Sequence, residues 1–163
     1  MKANDGTGNN EERDDWETPK ELFRILNNQY RFTFDCCATN DNKKTKFYSE
    51  DFLDVKKENI KHWSCWMNPP FSKAREMFEH FVKVVGRGVA IYRCDNLETK
   101  IYQEVILPSA SWIFIPKGRI VYQYNPSLRG GKGTRFPSAL IGFNVPPPIE
   151  LEGVILEVKN GKD

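Results

Sequence analysis

An α/β fold with one sheet, mostly parallel at first and antiparallel at its end, follows from three features of the chain. Amphipathic helical stretches alternate with short apolar runs over the first two thirds. The later apolar runs follow one another with no helix between them, as antiparallel strands do. The 163 residues, 39% hydrophobic and 13% aromatic, suffice for one core without disulfides or metal.

Residues 1–14 are polar, Gly/Asn-rich and aperiodic, which reads as a disordered tail ahead of a single domain over 15–163. Order is expected from about Trp16. Thr18-Pro19-Lys20-Glu21 offers an N-cap hydroxyl, a proline at the first helical position and a capping-box glutamate. The helix that follows runs to about Gln29 and buries Leu22, Phe23, Leu26 and Tyr30. The alternating Arg31–Asp35 predicts a strand, stopped by the turn formers Thr39 to Asn42. Beyond a lysine-rich connection, Trp63–Met67 is an apolar run of strand length that ends at Asn68-Pro69-Pro70, because proline cannot continue a ladder.

A helix from about Lys73 to Val85 places Met77, Phe78, Phe81, Val82 and Val85 on one side, with Gly86 and Gly88 closing it. Strand Val89–Tyr92 and a helix over Glu98 to Ile106 come next. Trp112–Ile115 and Arg119–Tyr122 read as strands joined through Pro116 to Gly118, followed by a Pro/Gly-rich loop over 125–137 and a buried strand, Ser138 to Phe143. The three prolines at 146–148 make Val154 to Val158 an edge strand or an appendage.

No uncharged stretch approaches the ~20 apolar residues of a membrane span. Acids at Asp5, Glu11, Glu12, Asp14 and Asp15 precede any apolar run, so no signal peptide is read and a cytoplasmic protein is expected. Cys36, Cys37, Cys65 and Cys94 lack C-x-x-C spacing, and a bridge between the adjacent pair would be strained. With only His62 and His80 besides, no metal site is expected. Net charge is +2, but residues 105–149 hold no acid while carrying Lys117, Arg119, Arg129, Lys132 and Arg135, interleaved with Tyr122, Tyr124 and Phe136. That pattern suits either a solvated basic loop or a nucleic-acid contact.

Asn68-Pro69-Pro70-Phe71 is the most informative tetrapeptide. A strand halted by two prolines leaves an amide side chain and free carbonyls at the carboxyl edge of a sheet, where open α/β sheets bind ligands. An exocyclic amine could donate one N–H to the Asn68 side-chain oxygen and the other to the Pro69 carbonyl. Its lone pair would then point outward while Phe71 stacks on the attached ring.

Taken with Glu17-Thr18-Pro19, Asp35-Cys36-Cys37-Ala38 and Asp51-Phe52, in that order, the tetrapeptide makes the chain resemble the S-adenosylmethionine-dependent amino-methyltransferases. From Trp16 to about Phe143 it is similar to the phage and prophage DNA N6-adenine methyltransferases, which share the W-x-T-P start, the D-x-x-A and N-P-P-[YF] strand ends and a late G-R-[IV] segment. The resemblance implies a Rossmann-like methyltransferase sheet reduced in size. It assigns Asn68, Pro69, Pro70 and Phe71 to a flipped adenine. Thr18 and Pro19, Asp35, Cys36, Cys37 and Ala38 would surround the methionine end of the cofactor, Thr18 meeting its carboxylate and Asp35 its ammonium. Asp51 and Phe52 would receive its adenine. Lys117, Arg119, Arg129, Lys132 and Arg135 would contact double-stranded DNA in a bacterial host.

Two residues have simpler readings: Thr18 as a helix cap and Asp35 as a turn cap. The chain also departs from the broader pattern, with no glycine-rich loop after the first strand. Asn68 follows Asp35 by only 33 positions, which leaves little room for a second strand or a ribose ligand. Action on RNA adenine or protein glutamine, and a non-catalytic nucleic-acid-binding module, remain alternatives.

Overall fold

The computed structural model describes residues 16–120 and 136–158, together with the backbone of 123 and 124. The expected tail over 1–14 and most of the 125–137 loop lie outside the described residues.

Nine strands are described: β1 (Trp16–Glu17), β2 (Phe34–Asp35), β3 (Phe47–Tyr48), β4 (Ser64–Met67), β5 (Arg87–Arg93), β6 (Trp112–Pro116), β7 (Gln123–Tyr124), β8 (Ser138–Phe143) and β9 (Gly153–Glu157). Seven of them form one sheet in the order β3-β2-β4-β5-β8-β6-β9. The first four run parallel, and each junction from β5 onward is antiparallel. The expected change from parallel to antiparallel therefore falls between β5 and β8. β1 and β7 pair separately, Trp16 opposite Tyr124 and Glu17 opposite Gln123.

The sheet is covered on both faces. Helix α1 (Lys20–Tyr30) lays Phe23, Leu26 and Tyr30 against Trp66, Val89, Ile91 and Leu140. The opposite face holds Cys65, Met67, Ala90 and Ile141 under α3 (Ala74–Val84) and a π-helical segment, Ile101–Ile106. The short α2 (Lys57–Ile60) and a single 3-10 turn, Phe52–Asp54, complete that layer. Because successive strand residues face opposite layers, every residue of β4 is buried, which is why 63–67 reads as apolar apart from Ser64, whose hydroxyl donates to the Tyr30 carbonyl at 2.8 Å.

Several local expectations change. Thr18 caps no helix: Pro19 holds the N-cap position without a side-chain bond, and Glu21 pairs with Arg24 at 2.6 Å instead of closing a capping box. The 31–35 strand shortens to Phe34–Asp35 because Arg31 ends α1 in the left-handed region (φ 52°) and the Asn27 side chain accepts the Phe32 amide. A second strand does fit between Asp35 and Asn68, since two-residue β3 lies parallel to β2. Gly88 closes no helix but sits inside β5, where a Cβ would fall 2.5 Å from the Cys65 carbonyl oxygen. Arg119 and Ile120 are not in a strand; Val121 and Tyr122 lie outside the described residues, and the pairing starts at Gln123. The 98–106 helix is wider than expected, the Leu107 amide reaching back to the Tyr102 carbonyl. The segment expected at Val154–Val158 does form an edge strand, β9, one residue earlier at Gly153–Glu157, against β6.

The proline run has a structural use. Pro146 and Pro147 carbonyls accept from Tyr30 Oη (2.7 Å) and Gln29 Nε2 (2.9 Å), tying the end of α1 to the chain beyond β8.

Candidate active site

β2 and β4 are parallel neighbours with Asp35 in register with Trp66. Their carboxyl ends therefore open on the same edge, and Asp35 and Asn68 meet there across a polar cleft of about 50 Å³. Thr18, Cys37, Asn42 and Lys44 also line it.

Asn68 is oriented by two acceptors. Its Nδ2 donates to the Trp16 carbonyl at 2.9 Å and to Thr18 Oγ1 at 3.2 Å. The Trp16 carbonyl has no proton to give, so the amide nitrogen must face it. Both contacts engage Nδ2, and among the described residues no donor to Oδ1 is found. Beyond Asn68, Pro69 is buried. The Pro70 carbonyl accepts the Lys73 amide at 3.1 Å as the chain turns toward α3, so among the described residues Pro69 offers the free carbonyl. Half-buried Phe71 stands edge-on to Phe136 (centroids 5.0 Å) and Tyr92 (5.7 Å), with the Arg93 guanidinium 5.0 Å above the Phe136 ring.

Asp35 is 3% exposed. Oδ2 accepts the Lys44 amide at 3.0 Å, whereas Oδ1 is buried with no partner. Burial pushes its carboxyl up to about 7, against which the Lys44 and Cys37 amides and the Lys44 charge pull downward. A strand-end carboxylate with one oxygen unsatisfied suits a cationic ligand, and the small cleft suits an ammonium with its immediate surroundings. The backbone after β2 is pinned by Cys36 N to Trp66 O (2.9 Å) and Ala38 N to Ser49 O (3.0 Å), so Cys36–Ala38 forms a fixed wall without glycine. Cys36 is packed in the core and Cys37 is half-buried along the cleft, and burial raises both thiols above the ordinary range, so neither is held as a thiolate.

Other expected site residues lie elsewhere. Phe52 is 1% exposed and packs on His80 (4.9 Å) and Phe81, so its ring is committed to the core, while Asp51 is exposed beside it. Lys117 and Arg119 are exposed, and Lys117 pairs with Glu152 at 3.6 Å across the β6–β9 end. The acid missing from the sequence around Lys117 thus arrives through the fold. Arg129, Lys132 and Arg135 lie outside the described residues. Sequence reasoning missed Lys44, Asn42, Tyr92 and the contact of Phe136 with Phe71. Lys44 had no visible signal, because it acts through its backbone amide.

Among the described residues no group of His, Cys, Asp and Glu could hold a metal ion, and no helix is long and apolar enough to cross a membrane. A family model described as DNA N-6-adenine-methyltransferase (Dam) matches residues 5–134. The chain is also similar to a protein of Escherichia phage T1 named DNA N-6-adenine-methyltransferase, at 36% identity over 77 residues, covering 42% of this chain and 32% of the phage protein. The chain thus spans about a third of the length of the curated relative it matches.

Proposed function

We propose, for a chain that belongs to the DNA N-6-adenine-methyltransferase (Dam) family, that it methylates the N6 amino group of adenine in DNA on a Rossmann-like sheet. One observation carries the reading: an amide fixed through its nitrogen and a buried carboxylate with one oxygen unsatisfied line the same cleft.

S-adenosylmethionine, when bound, supplies a methyl carbon made electrophilic by its sulfonium. Asp35 would hold the ammonium of that cofactor, whose positive charge satisfies Oδ1, and Thr18, Pro19 and the Cys36–Ala38 wall would bound the methionine end. Asp51, exposed past β3, is the candidate near the cofactor's adenine, with Phe52 acting from the core beneath.

An adenine inside the duplex cannot reach a pocket at a sheet edge, so the base leaves the stack. Phe71 would stack on it. Asn68 Oδ1 accepts one N6 proton and the Pro69 carbonyl the other, which keeps the nitrogen lone pair in line with the incoming carbon. No side chain forms a bond to the methyl group. Lys117 and Arg119, with Arg129, Lys132 and Arg135 from the same basic segment, would contact phosphates and set the register on DNA. The protein would act in the cytoplasm of a bacterial host.

Replacing Asn68 by Ala deletes the acceptor for N6 while leaving Asp35 untouched. The expected outcome is loss of methyl transfer to DNA, with S-adenosylmethionine still binding in a calorimetric titration. Wild-type turnover in Asn68→Ala would remove Asn68 from the reaction and the proposal with it.

A further inference from the structure

We infer that Thr18 is a positioning residue that acts through Asn68, its buried hydroxyl holding the amide plane in the orientation that the Trp16 carbonyl selects, with the oxygen toward the reacting amine. This rests on the reading above, in which Asn68 accepts from the adenine amino group.

The two ends of an asparagine amide are nearly the same size and differ in what they offer. Turned one way, the side chain presents an acceptor to an amino group; turned the other, it presents two donors and repels it. Steric fit cannot choose between them, so hydrogen-bond partners must. Here the Trp16 carbonyl, which can only accept, makes the choice at 2.9 Å, and Thr18 Oγ1, taking the second Nδ2 proton at 3.2 Å, keeps the amide from rotating about the first bond. Thr18 is 1% exposed, so water has little access to replace its oxygen. Both acceptors come from one stretch of three residues, held in place because Trp16 and Glu17 pair with Tyr124 and Gln123. Asn68 lies 50 positions further along the chain than Thr18. Only a lone pair of Thr18 is used in this contact, so its hydroxyl proton remains for another acceptor in the cleft. The helix-cap role is excluded for Thr18, because α1 starts without any side-chain cap.

Thr18→Val keeps the shape and removes the acceptor, whereas Thr18→Ser keeps the acceptor. Methyl transfer from labelled S-adenosylmethionine to unmethylated double-stranded DNA of mixed sequence is measured at saturating cofactor, alongside cofactor affinity by calorimetry. The expected result is a roughly tenfold fall in kcat for Thr18→Val, the size of one neutral hydrogen bond, with most of it restored in Thr18→Ser. In the cofactor-free protein, the Asn68 side-chain amide resonances should move in Thr18→Val and return in Thr18→Ser. If kcat at saturating cofactor stays at the wild-type value in Thr18→Val, the positioning role is overturned, whatever the cofactor affinity. Should the valine variant fail to fold, Thr18→Ala is read by the same criteria. The underlying reading is tested apart, by Asn68→Ala: an active Asn68→Ala sinks that reading, whereas an inactive Asn68→Ala beside a wild-type Thr18→Val sinks only the role of Thr18.

Discussion

Replacing Asp35 by Asn should stabilise the protein at alkaline pH and destroy its cofactor binding. The carboxyl rises from 3.8 to about 7 on folding, chiefly through burial. The folded chain therefore holds this proton more tightly than the unfolded chain, so the group's contribution is full below about pH 4 and lost as pH climbs through about 7. Three pKa units at about 1.36 kcal/mol each put the cost of the ionised form near 4 kcal/mol at pH 8. An asparagine removes that cost and retains an acceptor for the Lys44 amide, but its NH2 group inherits the unpartnered position, which returns roughly 1–3 kcal/mol. The net gain at pH 8 is then about 1–3 kcal/mol, or roughly 3–10 °C in Tm for a chain of this length. Between pH 8 and pH 5 the advantage should shrink by about 2–3 kcal/mol, because the wild-type carboxyl becomes neutral in the folded state. Urea denaturation of both proteins at the two pH values isolates this term by subtraction. A difference that does not change with pH would refute the assignment of a strained, buried carboxylate. The companion measurement is cofactor affinity. It should fall about fivefold in the wild type between pH 7 and pH 6, as a proton comes to occupy Asp35, and be lost in Asp35→Asn. Tight binding by the variant would free Asp35 from the ammonium.

Three further outcomes are expected. Charge reversal at Arg129 and Lys132 should lower the slope of log K against log salt for DNA binding by about 2, roughly one unit for each phosphate no longer neutralised, whereas an unchanged slope would move the DNA surface elsewhere. Gly142→Ala should lower stability by about 1–3 kcal/mol in urea denaturation, since a Cβ there would stand 2.0 Å from a Trp112 ring atom and the indole is anchored to the Val145 carbonyl. A neutral effect would mean that Trp112 can shift. Cys36 should resist alkylation at pH 8 and react promptly once the chain is unfolded, and its fast labelling in the native protein would contradict its burial.

What was legible in the chain depended on how local its cause was. Trp63–Met67 and the 73–85 helix were readable because each carries its own pattern, an apolar run buried on both faces and a repeat at helical spacing. β3 was not, since Phe47–Tyr48 is two residues long and Phe47 is 46% exposed, leaving neither length nor alternation to detect. Thr18 was misread for a physical reason: a threonine before Pro-Lys-Glu has every local mark of a cap, and its real partner lies 50 positions away. The same holds at Gly88, where a glycine after a helix suggested a terminator and the close approach of the Cys65 carbonyl accounts for it instead. Asp35 and Asn68 were visible as residues at strand ends. That they face each other follows from β2 and β4 being parallel neighbours, a relation between segments that no single window contains.

That relation also narrows what the cleft can accept. Buried polar groups in a folded chain are ordinarily satisfied from within, and a site kept only for stability would have paired both oxygens of Asp35. Instead the satisfied atoms are the ones that fix orientation. Oδ2 of Asp35 is held by the Lys44 amide and Nδ2 of Asn68 by Trp16 and Thr18, while the oxygen on the other side of each group is left open. One open oxygen belongs to a carboxylate and demands positive charge; the other belongs to a neutral amide and demands an N–H. A single neutral ligand meets neither condition well, and a simple cation meets only the first. The pair calls for a cation at β2 beside an amine at β4, which is the arrangement a charged methyl donor and an adenine would present together.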